Sequence, residues 1–132
     1  QLYFLHESFG VLILAGVILR FLTRLMSSIP QLPSAIPSMQ KAAAKLTHYT
    51  MYIAVFLMAA SGFIMSQASG FTIPFFSYEV PQIIYKSDQL GDLAYNIHTS
   101  FYLFLIALVI LHIAAAFKHL IIDKTNLFKR II

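Results

Sequence analysis

The sequence predicts an all-α membrane protein, a bundle of transmembrane helices. Of its 132 residues, 59% are hydrophobic and only 11% are charged, whereas a soluble domain carries about 25% charged residues. The mean hydropathy is +0.79. Three apolar stretches are each longer than the roughly 20 residues that a helix needs to cross a bilayer. We therefore expect three spans, which we place at 2–26, 41–67 and 94–121, within a single membrane domain.

The first span, 2–26, is apolar through its middle and polar towards its ends. Arg20 and Arg24 are four residues apart, so they share a face and can extend to a membrane surface. The chain enters this span directly after Gln1, with no basic segment or cleavage site of a signal peptide. We expect that an N-terminal piece precedes it.

The second span, 41–67, follows a connector that contains Pro30, Pro33 and Pro37, and prolines at this density cannot continue a helix. Its His48 is expected one to two turns in from the membrane surface. Gly62 follows a run of small residues, and this composition allows another helix or a planar cofactor to approach closely.

The segment 68–93 is the one sizeable connection outside the membrane, and aromatic residues interrupt it. Residues 81–93 have loosely helical amphipathic spacing, so a short helix on the membrane surface and a plain ordered loop are equally compatible with the sequence. The third span, 94–121, precedes a basic, amphipathic tail, 122–132.

The basic residues predict the orientation. In a three-span serpentine, eight of the nine lysines and arginines fall on one side of the membrane, and only Lys86 falls on the other. The eight are Arg20, Arg24, Lys41, Lys45, Lys118, Lys124, Lys129 and Arg130. By the positive-inside rule the C-terminus is cytoplasmic and the segment 68–93 faces the opposite compartment. Because these charges flank membrane spans, they do not indicate a nucleic-acid site.

The third span carries two histidines, His98 and His112, fourteen residues apart. In an α-helix this spacing is a rise of roughly 21 Å and a rotation of about 40°, so both side chains share a face. Ionisable residues inside a membrane are costly and indicate a functional site. His6, at the outer end of the first span, lies level with His98, and a bis-histidine pair of this kind holds a b-type haem in a helical bundle.

His112 lies deeper and lacks an obvious partner. His48 is the nearest candidate, but its expected position is closer to the surface, where it would face the headgroups or bond a haem propionate. Taken alone, each histidine could instead hydrogen-bond a neighbouring helix; together, the three favour ligation of haem iron. His119 is expected at the cytoplasmic surface. The absence of cysteine excludes thiolate haem ligation and iron–sulfur clusters.

Several motifs resemble the bacterial cytochrome b-561 family of four-helix, two-haem membrane proteins, which are related to the cytochrome b subunits of hydrogenases and formate dehydrogenases. The matching segments are HESFG, RFLTR, LTHYTMY and IHTSFY followed by LHIAAAFKH, in the family's order over nearly the whole chain. The resemblance implies that the spans are helices two, three and four. It implies an outer haem b on His6 and His98, and an inner one on His112 and a histidine of a first helix that precedes Gln1.

The expected function is transmembrane electron transfer through haem b, with quinone or quinol, such as ubiquinone, as one redox partner and membrane lipid around it. The sequence shows no catalytic acid, nucleophile or phosphate-binding loop. The alternative is an accessory subunit of a larger respiratory or redox complex, with one haem or none; a small transporter with histidine relays is less favoured, because no carboxylate lies deep in a span. We expect a bacterial inner membrane location, with the mitochondrial inner membrane as the alternative.

Overall fold

The computed structural model describes residues 1–27 and 37–124. They form three long helices, α1 (Leu2–Met26), α2 (Ser38–Ala68) and α3 (Asp88–Ile121), with a small hairpin of β1 (Ile73–Phe75) and β2 (Tyr78–Val80) between α2 and α3. Each helix is long and apolar enough to cross a membrane. The predicted class, a bundle of transmembrane helices, is confirmed.

Helix α1 has the bounds expected from the sequence, whereas α2 and α3 each begin earlier. Helix α2 starts three residues before the predicted span and α3 six residues before it. The start of α3 is fixed by Ser87, whose side chain accepts a hydrogen bond from the Leu90 amide at 3.4 Å, and by Asp88 in the first turn, where a carboxylate complements the helix dipole. Most of the proline connector and the tail from residue 125 lie outside the described residues.

Helix α2 is central to the bundle. It packs against α3 along much of its length and against α1, whereas α1 and α3, as far as the described residues show, do not pack against each other. Large apolar side chains point outward from α1 and α3, as a lipid environment requires. The buried apolar residues of the described part are few: Ala54, Ala68, Ile73 and Ala94.

Residues 69–87, which we call the outer cap, close one end of the bundle. The two strands pair antiparallel, with Ile73 opposite Val80, and Phe76 in the turn has a φ of 53°. The possible surface helix over 81–93 is wrong: residues 81–87 are not helical, and 88–93 form the first turns of α3.

The buried side chain of Gln67 explains why residues 81–84 are not helical. Its amide nitrogen donates to the Pro81 carbonyl at 3.3 Å, and its Oε1 accepts from the amides of Ile83 and Ile84 at 2.8 and 3.3 Å. These backbone groups would otherwise be available for a helix. Gln67 therefore connects the end of α2, through hydrogen bonds, to the non-helical residues that precede α3.

Ser8 attaches the outer cap to α1. Its fully buried hydroxyl donates to the Pro74 carbonyl at 3.2 Å and accepts from the Phe76 amide at 3.1 Å. The rings of Phe9 and Phe76 pack edge to face beside it, with centroids 5.7 Å apart. The hairpin thus lies directly above the residues of α1 that follow His6.

Candidate functional site

His6 of α1 and His98 of α3 face each other beneath the outer cap. Their ring centroids are 5.9 Å apart and their planes are nearly perpendicular, at 82°. Since α1 and α3 do not pack against each other in the described part of the chain, the contact between these two helices at this level is made by the two rings. His98 is half-buried and His6 is exposed, so the pair borders free space.

The orientation of His98 is fixed by α2. Its Nδ1 lies 2.9 Å from the carbonyl oxygen of Met58, and a carbonyl can only accept, so Nδ1 donates the proton. The Ser61 hydroxyl lies 3.4 Å from the same nitrogen and itself donates to the Met58 carbonyl at 3.0 Å. With Nδ1 protonated, Nε2 keeps its lone pair, which is the arrangement that a metal-ligating imidazole needs.

Gly62 makes room for this ring. A Cβ at this position would lie 2.9 Å from Cε1 and 3.0 Å from Nδ1 of His98, which is closer than real side chains approach. The sequence predicts that a helix or a planar cofactor approaches Gly62 closely. In the structure the group that approaches it is the imidazole of His98.

The spacing of this pair suits a haem iron. A metal–nitrogen bond of about 2 Å on each side, with a nitrogen-to-centroid distance of about 1.1 Å, places the centroids of two opposed imidazoles roughly 6 Å apart. Among the described residues there is no group of three or more histidines, cysteines or carboxylates that could hold a metal ion by itself. Haem needs no such group, because the porphyrin supplies four ligands and the protein supplies the axial ones.

A second histidine pair lies deeper in the bundle. The rings of His48 on α2 and His112 on α3 have centroids 5.5 Å apart and planes inclined by 64°. The sequence-based depth placed His48 nearer the surface than His112. The expected depth is too shallow because α2 begins at Ser38, so that His48 is ten residues in, nearly three turns rather than one to two.

The antiparallel packing of α2 and α3 would have revealed this second pair. Gly62 lies opposite His98. Fourteen residues further along α3 is His112, and fourteen residues back along α2 is His48. Because fourteen residues return each helix to nearly the same face, the residues at these two positions meet again.

Charged side chains lie at the deeper end of the helices. Arg24 and Arg20 are near enough to His48 for their charges to act on it. Beyond α3, the Asp123 carboxylate lies 2.6 Å from the Lys118 ammonium and 2.7 Å from Nδ1 of His119. The hydrogen bond from Lys118 lowers the pKa of Asp123 below its ordinary value. His119 therefore belongs to a charged cluster at the end of α3 and not to either histidine pair.

Comparisons with known proteins identify relatives of the chain. The family model described as prokaryotic cytochrome b561 matches residues 1–132. The chain is also similar to a protein of Escherichia coli strain K12 named cytochrome b561 homolog 2. The two are 33% identical over 129 residues, which are 97% of this chain and 69% of the relative.

Proposed function

The chain belongs to the prokaryotic cytochrome b561 family, and we propose that this membrane b-type cytochrome moves electrons between the two sides of the bilayer, with His6 and His98 as axial ligands of an outer haem. The observation that carries the assignment is the meeting of these two imidazoles between α1 and α3, with centroids 5.9 Å apart. When bound, haem supplies an iron that accepts and gives up one electron at a time.

The residues around the outer pair support ligation by two neutral imidazoles. The Met58 carbonyl holds the proton of His98 on Nδ1, which leaves Nε2 for the iron. Gly62 lets the ring lie against α2, and the outer cap, held to α1 by Ser8, covers this end of the bundle. A cover over one end of the site and hydrogen bonds to an axial histidine are among the features that tune the reduction potential of a haem.

We assign His112 as an axial ligand of a second, inner haem, because it lies on the same face of α3 as His98, roughly 21 Å away along the axis. The family resemblance implies that the other axial ligand of this haem comes from a helix outside the 132 residues. Arg20 and Arg24, at the inner end of α1, are suited to pair with its propionates.

The proposed electron partner on one side is a quinone or quinol, and the proposed location is a bacterial inner membrane. An apolar two-electron carrier can reach a haem from the lipid that surrounds α1 and α3. The positive-inside rule supports a cytoplasmic position for the inner ends of the helices, where Arg20, Arg24 and Lys118 lie.

The test is a reduced-minus-oxidised visible spectrum of the purified protein, with haem counted as the pyridine haemochrome. We expect b-type absorbance, and we expect His98→Ala to remove the outer haem. The matched control is His119→Ala, the same substitution on the same helix but outside both histidine pairs, which should retain the full haem content. Absence of b-type absorbance would refute the proposed function, and full retention of haem in His98→Ala would refute the pairing of His98 with His6.

The quinone assignment has its own measurement. Anaerobic addition of a quinol to the oxidised protein should reduce haem b at a rate that depends on the quinol concentration. If the haem stays oxidised while dithionite reduces it fully, the quinol is not the partner and the rest of the proposal stands.

A further inference from the structure

We propose that His48 is a positioning residue, whose ring fixes the orientation of the His112 imidazole and thereby tunes the inner haem. This inference rests on the proposed role of His112 as an axial ligand. It assigns a function to a histidine that the ligand pattern leaves unused.

The first step is the direct contact of the two rings. His48 and His112 lie edge to face, with centroids 5.5 Å apart and planes at 64°. Such a contact restricts rotation of either ring about its Cβ–Cγ bond, because the rotating ring would strike its neighbour. His112 is half-buried, and the ring of His48 contacts it from α2.

The second step is the difference between the two levels of α3. At the outer level, the Met58 carbonyl fixes the ring of His98 through a hydrogen bond to Nδ1. In the described residues, the structure gives His112 no corresponding hydrogen bond to a carbonyl; what its ring meets there is His48. Axial histidines need an outer partner that sets their orientation. Ring packing from His48 would fill this role at the inner level.

The third step separates positioning from ligation. The outer pair joins α1 and α3, two helices that do not pack against each other in the described part, so a porphyrin between them would not have to break a helix–helix interface. The inner pair joins α2 and α3, which pack together along much of their length. A haem plane inserted between His48 and His112 would have to separate these helices. An inner haem would therefore be bound by His112 alone among these two histidines, and His48 would contact the ring of His112 from α2.

The consequence is spectroscopic. The orientation of an axial imidazole plane determines how its orbitals overlap with those of the iron, and so affects the low-spin electron paramagnetic resonance (EPR) signal and the potential. Removing the ring of His48 should leave the inner haem bound but allow His112 to rotate. Restoring a flat ring without the nitrogen atoms should restore the orientation.

The experiment compares His48→Ala and His48→Phe in the purified full-length protein, with His119→Ala as the matched control. Haem is counted as the pyridine haemochrome, low-spin signals are recorded by EPR spectroscopy, and midpoint potentials are measured by redox titration. We expect His48→Ala to keep its haem content, with a shift of the EPR signal and potential of the inner haem alone. His48→Phe and His119→Ala should match the wild type.

Three outcomes would overturn the proposal. Loss of the inner haem in both His48 variants would make His48 an axial ligand. Unchanged EPR signals and potentials in both variants would leave His48 without a role. A shift in His48→Ala that is also present in His48→Phe would exclude ring packing. If His48→Ala does not accumulate, His48→Leu, which keeps bulk without a flat ring, replaces it. A wild type with only the outer haem would refute this inference and leave the outer site intact, whereas a wild type without haem would refute the proposed function itself.

Discussion

Gly62→Ala should weaken haem binding at the proposed outer site more than a Gly→Ala substitution at any other glycine of the described helices. The new Cβ would lie 2.9 Å from Cε1 of His98, whereas ordinary contacts begin at 3.4 Å, so the imidazole must move by 0.5 Å. The same edge of the ring is held by the Met58 carbonyl, which lies one turn before Gly62 on α2 and 2.9 Å from Nδ1, so a ring pushed away from α2 moves away from this carbonyl. A shift of this size takes the hydrogen bond to the limit of useful geometry, about 3.4 Å.

The expected magnitude follows from the role of that hydrogen bond. Loss of the group that orients a metal-ligating histidine typically costs about 10–100-fold in metal affinity. At about 1.4 kcal/mol for each factor of ten, this is a loss of roughly 1.4–2.8 kcal/mol in binding of the outer haem. The backbone effect has the opposite sign, because alanine is favoured over glycine inside a helix by roughly 0.5–1 kcal/mol.

The assay is competition for haem between the reconstituted protein and a soluble haem acceptor, followed in the visible spectrum. Gly16→Ala is the matched control, because a Cβ at Gly16 has no atom within 4 Å and should affect only helix propensity. If Gly62→Ala retains the outer haem as strongly as Gly16→Ala, the contact with His98 does not constrain the site and the reasoning is wrong.

Two further predictions concern the outer cap and the far end of α3. Ser8→Ala removes a fully buried hydroxyl that bonds both the Pro74 carbonyl and the Phe76 amide. At about 0.5–1.5 kcal/mol for each hydrogen bond, it should lower the free energy of unfolding by about 1–3 kcal/mol, measured by thermal unfolding in detergent. The exposed substitution Thr99→Ala serves as the comparison, and equal stability of the two would contradict the prediction. Because the pKa of Asp123 is lowered in the folded state, its contribution is present above the unfolded pKa and is lost as pH falls through the folded value. The protection of amides at the end of α3, measured as the exchange rate relative to the intrinsic rate at each pH, should therefore fall on acidification in the wild type but not in Asp123→Asn. Identical pH profiles of this protection in the two proteins would refute the prediction.

The spans and the outer histidine pair follow from the sequence because they depend on local periodicity and simple counting. The bounds of α1 coincide with the apolar run 2–26. His6 and His98 were expected at the same depth because each follows closely on an outer helix end, and their rings do meet. An error of a few residues at those ends does not change which side chains face each other.

The level of His48 was misjudged for a specific reason. Its depth was counted from a helix start at residue 41, and the observed start at Ser38 adds nearly one turn. The packing register of α2 and α3, which would have corrected the count, is a tertiary property that no local pattern in either helix contains. Gly62 and His98 reveal it only once their contact is seen.

The outer cap was predictable as a connection but not in its structure. The spacing of residues 81–93 is compatible with a helix, and the competing hydrogen bonds come from Gln67, fourteen residues or more earlier in the chain. Ser8 is likewise an ordinary small residue of an apolar span by sequence. Its bonds to Pro74 and Phe76 depend on how the hairpin folds back over α1.

The separation of His98 and His112 along α3 makes the proposed electron path sensitive to membrane voltage. Their rise of roughly 21 Å is about two thirds of a hydrocarbon core roughly 30 Å thick. A charge that crosses the whole membrane gains or loses about 2.3 kcal/mol per 100 mV, so an electron passing between the two levels changes in energy by roughly 1.6 kcal/mol. In the proposed orientation, a potential that is negative inside favours movement of electrons from the inner to the outer level. An energy of roughly 1.6 kcal/mol per 100 mV changes the equilibrium constant of this transfer by more than a factor of about ten. With haems at both levels, as proposed, a fourteen-residue spacing would let the membrane potential set the preferred direction of electron transfer.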